Sequence, residues 1–507
     1  MAALLFAGCA GQIQKNQTSV EASTEILKEH VEFFNSLDEE DVVNLIPNAQ
    51  AFSWLSENIP LFECPDSILE QTYYYRWWTF RKHLKSTPDG YIWTEFITPV
   101  SHAGKYNSIS CALGHHIYEG RWLRNPEYLN SYINFWFLKE KNFENSRYSK
   151  FSSWAADAIY NKSKTDGDGE FALSLLDNLI KDYEEWTAEK QLDNGMYWQF
   201  DVRDGMEESI SGSRIHKNPR PTINSYMYAN ALAIARLAEM EGKAQLSEEF
   251  RAKAERLKKL VLENLWDEEA GFFKAYTEGT RISDAREAIG FIPWYFNLPE
   301  DEDRYGAAWE QIRDPKGFNA PWGLTTAEIR HPSFMANVRG GCEWDGAIWP
   351  FATTQTLKGL SNLLNYYKNH NMNARDFYSA LRRYAESHQK NGKPYIGEYQ
   401  HPMTGYWLKG DNPRSRYYNH SSFTDLVISD LIGLKPQEGN KLEINPLVPE
   451  GEWDWFLLDK VPYHGRSLTI VWDESGEKYN AGKGFRVFAD GKLIAKSAKL
   501  ERISGSL

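Results

Sequence analysis

Apolar positions recur with helical spacing over most of the chain. Met227, Ala231, Ile234 and Ala238 fall on one face of a helix, and Phe250, Ala254, Leu257, Val261 and Leu265 on one face of the next. Both sets follow the i, i+4, i+7 spacing of an amphipathic helix. A short polar turn around Gly242 separates them, so the two are expected to lie antiparallel. The same rhythm returns at 352–367 and 374–389. After residue 436 the pattern changes. Short β-like runs occupy 441–445, 455–458, 467–472 and 485–488. Leu468, Ile470 and Trp472 alternate with Thr469 and Val471, the period of a half-buried strand, and Asp490-Gly491 marks a hairpin turn. The chain thus divides into an N-terminal segment (1–23), a helical domain (24–435) and a small C-terminal β domain (436–507).

Around a dozen helices joined by long loops suggest a mainly α toroid, in which inner and outer helices alternate. The loops 194–224, 316–350 and 391–422 are rich in Trp, Gly, Pro and Asp. Long ordered loops in a compact domain usually carry function.

A net charge of −13 argues against nucleic acid as a partner, because phosphate binding needs a basic surface. The 19 Trp, 28 Tyr and 26 Phe exceed what a sugar cleft needs, and most belong to a large core. The four cysteines show no paired short spacing, so neither a zinc site nor a disulfide framework is signalled. His115-His116, His216, His331, His401 and His420 have no metal-ligand spacing, and no phosphate loop or nucleophile elbow is present. No cofactor and no metal are expected. Cys9 ends a short apolar run, Leu4 to Gly8, and precedes a polar stretch. This resembles the end of a bacterial lipoprotein signal, with Cys9 the lipidated residue and the start of the signal lying upstream. The expected location is the cell envelope, with a lipid anchor as the membrane contact. No other stretch is long and apolar enough to span a bilayer.

Two acidic residues stand in aromatic loops. Asp204 lies in Trp198-Gln199-Phe200-Asp201-Val202-Arg203-Asp204-Gly205-Met206-Glu207, and Glu398 in Gly397-Glu398-Tyr399-Gln400-His401-Pro402. Glycosidic bonds are cleaved by two carboxyl groups on opposite sides of the bond. A general acid must keep its proton at neutral pH; Trp198 and Phe200 offer apolar walls for Asp204, and Glu207 and Glu208 nearby negative charge. Asp201 is a rival. The plainer readings are a helix cap for Asp204, with a helix starting near Gly205, and a surface turn residue for Glu398. Between them, Trp344-Asp345-Gly346-Ala347-Ile348-Trp349-Pro350 combines aromatic faces suited to a pyranose with a carboxylate for its hydroxyls; its plainer reading is a Trp pair anchoring the helix that Pro350 begins. Arg203, Arg220 and Arg339 can bind acidic sugars or orient carboxylates, although structural pairing is the commoner role of an Arg.

Five segments in order make the chain resemble trehalase-like and GH63-like glycoside hydrolases, including the mannosylglycerate hydrolase type. They are the Asp204 loop, Pro221-Thr222-Ile223-Asn224, Trp322-Gly323-Leu324-Thr325-Thr326, Trp344 to Pro350, and Glu398 with Pro402 and Thr404-Gly405. The resemblance covers roughly residues 70–435. It implies an (α/α)6 barrel, inversion at the anomeric carbon, Asp204 as acid and Glu398 as base. It also implies a sugar-binding role for Trp198, Arg203, Asn224, Trp322, Trp344, Asp345, Gly346, Trp349 and Tyr399. The chain departs from its relatives in reading Asp204-Gly205-Met206-Glu207 at the acid, in lacking the Arg that follows it, and in carrying Tyr399 one place early. An α-glucoside or α-mannoside is the expected substrate. The alternatives are a glycan-binding lipoprotein without turnover, and another toroid enzyme such as a lyase or unsaturated-uronide hydrolase.

Overall fold

A computed structural model describes residues 20–139, 151–277, 281–337 and 341–507. Helices buried on nearly every face alternate with helices that bury one stripe. Leu113–Gly120, Pro221–Met240 and Pro350–Tyr366 belong to the first kind. Leu176–Lys190, Ala244–Asn264 and Ala374–Glu386 belong to the second. A helix apolar or small all round belongs inside, and one with a single apolar stripe outside. This is the layering of an (α/α) toroid.

Local chemistry sets the helix ends. Pro221 and Pro350 occupy first turns, where the missing N–H costs nothing. Gly242, at φ 77°, makes the turn that brings Ala244–Asn264 back along Pro221–Met240. Asn373 and Asp376 form a reciprocal cap on Ala374–Glu386. These elements follow the expected periodicity, with boundaries shifted by a few residues.

The C-terminal strands form an antiparallel sheet in the order Leu61–Glu63, Trp455–Tyr463, Arg466–Asp473, Gly484–Ala489, Lys492–Ser497. The first strand comes from the N-terminal part of the chain, with Phe62 opposite Leu458. No periodicity announces it, since three residues carry no period. It covers one edge of the sheet, which would otherwise expose unpaired backbone groups. Thr469 and Val471 are buried as well as Leu468, Ile470 and Trp472, so that strand is covered on both faces rather than half-buried.

The N-terminal ends of Leu113–Gly120, Ala155–Asp166, Pro221–Met240 and Pro350–Tyr366 gather at one mouth of the ring. The segments 94–112, 198–220, 341–349 and 395–420 converge there. No helix among the described residues is long and apolar enough to cross a membrane.

Candidate active site

The loop after Trp198 contains one helical turn, Asp201–Asp204, closed by Gly205 at φ 70°. A helix therefore ends at Asp204, rather than beginning near Gly205. A Cβ on Gly205 would lie 2.4 Å from the Cys111 sulfur, so the turn needs glycine twice over. Asp201 braces both sides of this turn: its Oδ1 accepts from the Val202 N–H (2.7 Å) and its Oδ2 from the Glu208 N–H (3.3 Å). Glu208 itself is in the left-handed region, at φ 66°. Glu207 sits between these two left-handed residues and is turned toward a cavity.

Asp204 is not on that cavity. Its Oδ2 accepts from Arg220 Nε at 2.8 Å and from the Thr222 hydroxyl, and both Asp204 and Arg220 side chains are fully buried. It ties the loop to the start of Pro221–Met240. Glu207, three residues on, is the carboxyl group of this loop that lines the cavity.

The cavity has a volume of about 180 Å³, and Glu95, Glu207, Glu398, Trp349, Arg414 and His420 are among its lining residues. Three glutamates share it in different settings. Burial raises Glu398, and Lys409 and Arg414 work against that rise. Lys409 Nζ lies 3.4 Å and Arg414 Nη2 3.7 Å from its carboxylate. The Glu398 N–H donates to Ser415 Oγ at 3.0 Å, which fixes the backbone. Glu207 makes no ion pair among the described residues; burial first, then the charges of Asp201 and Glu398, push it up to about 7 against the pull of Lys409. Burial likewise pushes Glu95 up to about 8, against its hydrogen bond from Tyr418.

Trp349 is the aromatic wall. It is stacked between Trp344 (4.5 Å, 19°) and Tyr399 (4.5 Å, 15°), so both of its faces are covered and its edge lines the cavity. Arg203 also reaches the cavity, its guanidinium 5.7 Å from the Phe151 ring centre.

The other expected sugar-binding residues are off the cavity and hold loops. Trp198 lies between the amines of Lys190 (4.2 Å) and Lys217 (5.0 Å). Asn224 exchanges hydrogen bonds with both backbone groups of Tyr197, each 2.8 Å. Asp345 Oδ2 accepts from the Asn337 N–H at 2.9 Å. Gly346 donates its N–H to Thr326 Oγ1 at 3.1 Å. Trp322 packs where Gly405 leaves room for its indole. Cys9 and Arg339 lie outside the described residues. Sequence reasoning missed Glu95, Lys409, Arg414 and His420, and gave Glu207 a supporting part.

Residues 105–421, more than half of the chain, match the model of the mannosylglycerate hydrolase MGH1-like glycoside hydrolase domain, and 434–495 match that of the glycosyl hydrolase family 65 C-terminal domain. A solved structure named "Sialidase" superposes with a TM-score of 0.94 at 48% identity, over 98% of this chain and 46% of that one. The GH63 mannosylglycerate hydrolase from Thermus thermophilus in complex with Tris superposes with a TM-score of 0.50 at 13% identity, over 70% of this chain and 98% of that one. A relative from Borreliella burgdorferi, named only "Uncharacterized protein", is 24% identical over 230 residues, 44% of each chain. This chain spans less than half the length of the sialidase-named protein and of the Borreliella relative. The family model nonetheless covers more than half of the chain, with Glu207 and Glu398 in the matched span, and the chain belongs to the mannosylglycerate hydrolase MGH1-like glycoside hydrolases.

Proposed function

We propose that the chain is an inverting, exo-acting glycosidase with Glu207 as general acid and Glu398 as general base. One observation carries this reading: the two carboxyl groups face one cavity, and only Glu398 has two cations within 4 Å among the described residues. Burial and negative neighbours keep a proton on Glu207 near neutral pH, while Lys409 and Arg414 favour the charged form of Glu398. Environments that push two carboxyls apart separate acid from base. Glu207 gives its proton to the leaving glycosidic oxygen as the C–O bond breaks. Glu398 takes a proton from water, whose oxygen bonds to the anomeric carbon from the opposite face. Solvent then returns the proton to Glu207 and removes the one on Glu398.

The cavity, at about 180 Å³, is below the range of roughly 300–1,000 Å³ common for larger ligands. It suits one terminal sugar ring, with the edge of Trp349 as part of its wall. An α-glucoside or α-mannoside remains the first expectation. Lipidation at Cys9 and an envelope location belong to the same proposal; radiolabelled palmitate should enter the wild type and not Cys9→Ala.

The decisive experiment is hydrolysis of aryl glycosides of both anomeric series, with sialosides included, by the wild type, Glu207→Gln and Glu398→Gln, following the released anomer by NMR. Turnover with inversion, lost in both variants, is the expected result. Release of the retained anomer, or activity that survives either substitution, would overturn the assignment.

A further inference from the structure

Glu95 is held more firmly than a casual wall residue. It follows the hairpin of Leu84–Thr87 and Gly90–Trp93, and its segment is tied to residues more than three hundred positions away. The Asn419 N–H donates to the Glu95 carbonyl (3.0 Å), and Asn419 Nδ2 to the Thr94 carbonyl (3.1 Å). The ring nitrogens of His83 and His116 hold the carbonyls of Tyr417 (2.6 Å) and Asn419 (2.7 Å). On the side chain, the Tyr418 hydroxyl donates to Oε1 at 2.6 Å. The other oxygen, Oε2, is buried with no hydrogen-bond partner among the described residues, and the residue lines the cavity.

His420 lies on the same wall. It is buried, its ring meets Tyr418 edge-on at 3.9 Å, and one ring nitrogen is directed at the backbone of Glu398, which leaves the other for a ligand. Buried polar groups are nearly always satisfied, so the bare Glu95 oxygen and the open His420 nitrogen on a ligand cavity mark places where a ligand completes the bonding.

We propose that Glu95 reads a hydroxyl of the bound sugar through Oε2, with His420 meeting a neighbouring hydroxyl, so that the cavity selects a neutral glycone carrying those groups. This deepens the reading of the cavity as a glycosidase site and rests on it. Burial, with Glu398 and Glu207 close by, keeps a proton on Glu95 at neutral pH against the pull of Arg414. With Tyr418 donating to Oε1, that proton is left on Oε2 as a donor to a sugar oxygen. A carboxylated sugar would instead meet the charged Glu398, whose cations Lys409 and Arg414 are already engaged. A site built to bond a hydroxyl rejects the analogue that lacks it far more strongly than an apolar pocket rejects a missing methylene.

The test separates binding from turnover. Binding of D-glucose, D-mannose, L-rhamnose, L-arabinose and N-acetylneuraminate is measured by calorimetry and ligand-observed NMR on the wild type, Glu95→Ala, Glu95→Gln and Glu398→Gln. At least one neutral sugar should bind the wild type. Glu95→Ala should weaken it about 100-fold or more. Glu95→Gln, which keeps an acceptor for Tyr418 and a donor toward the cavity, should recover most of the affinity and guards against a folding artefact. One singly deoxygenated form of that sugar should bind the wild type as weakly as the parent binds Glu95→Ala. Binding indifferent to Glu95→Ala, binding of N-acetylneuraminate alone, or no binding at all would each overturn the proposal. Turnover that survives Glu398→Gln would instead sink the catalytic assignment while leaving the Glu95 result standing.

Discussion

The two ends of the helical ring treat buried carboxylates in opposite ways. At the catalytic mouth, Glu95, Glu207 and Glu398 share one cavity and all three are raised above the ordinary carboxylate range. At the far end, Asp425 and Asp430 are met by cations: Arg121 at 2.6 Å, Lys358 at 3.0 and 2.9 Å, and Lys435 at 2.8 Å. Burial alone would raise Asp430, yet Lys358 and Lys435 hold it well below the usual range. The same helix serves both ends, since Trp349 precedes Pro350–Tyr366 and Lys358 lies about 13 Å further along its axis. The far end also holds the larger cavity, about 250 Å³ against about 180 Å³. Size therefore does not find the site. Charges matched inside the protein mark structure, and charges left unmatched mark work on a ligand.

The largest effect tests that contrast at the mouth. Glu207→Gln and Glu398→Gln should each lower kcat by about 10²–10⁴-fold, the usual share of a general acid or base, while the melting temperature stays near wild type. Asp430→Ala at the far end should do the reverse. It leaves Lys358 and Lys435 buried without their shared partner, and breaking such a pair costs about 3–5 kcal/mol in denaturant unfolding. Activity per folded molecule should be unchanged. A stable, inactive Asp430→Ala protein would break the comparison. Asp204→Ala belongs with the far-end class despite its place beside the mouth, because it strands Arg220, and it should show a similar loss of stability.

That last case shows what the chain makes legible and what it withholds. Antiparallel helix pairs are written in local periodicity, as at Met227–Ala238 and Phe250–Leu265, and the shift to strands after 436 is equally local. Glu398, with its proline and glycine neighbours, is also legible, because a short motif surrounds it. The choice between Asp204 and Glu207 is not local. It depends on a turn closing at Gly205 and on Arg220, sixteen residues on, taking Asp204 out of play. Glu95 is further out of reach, because its meaning comes from Tyr418 and His420, across the whole barrel. The strand Leu61–Glu63 is hidden for the same reason, since its partner is Trp455–Tyr463.

A smaller effect sharpens the comparison within the mouth. The acid must be protonated and the base charged, so kcat/KM should be bell-shaped in pH. The alkaline limb follows Glu207 and should fall as pH rises through about 7. The acid limb follows Glu398. Arg414→Met removes a charge that favours the carboxylate, so the pKa of Glu398 rises, the acid limb moves to higher pH and the bell narrows. A profile in which the alkaline limb moves instead would exchange the two roles.

The smallest effect separates two tryptophans that look alike in sequence. Trp349 lies on the cavity, and Trp198 lies behind the acid loop between two lysines. Trp349→Phe keeps part of the stack with Trp344 and Tyr399 but draws back the ring edge that lines the cavity, so KM should rise several-fold with little change in kcat. Trp198→Phe should leave both constants near wild type. Its loss is confined to weaker contact with Lys190 and Lys217, about 0.5–1 kcal/mol of stability. Equal KM effects would place Trp198 in a second sugar subsite beyond the cavity, and the exo-acting reading would then give way to one in which a longer glycan crosses the acid loop.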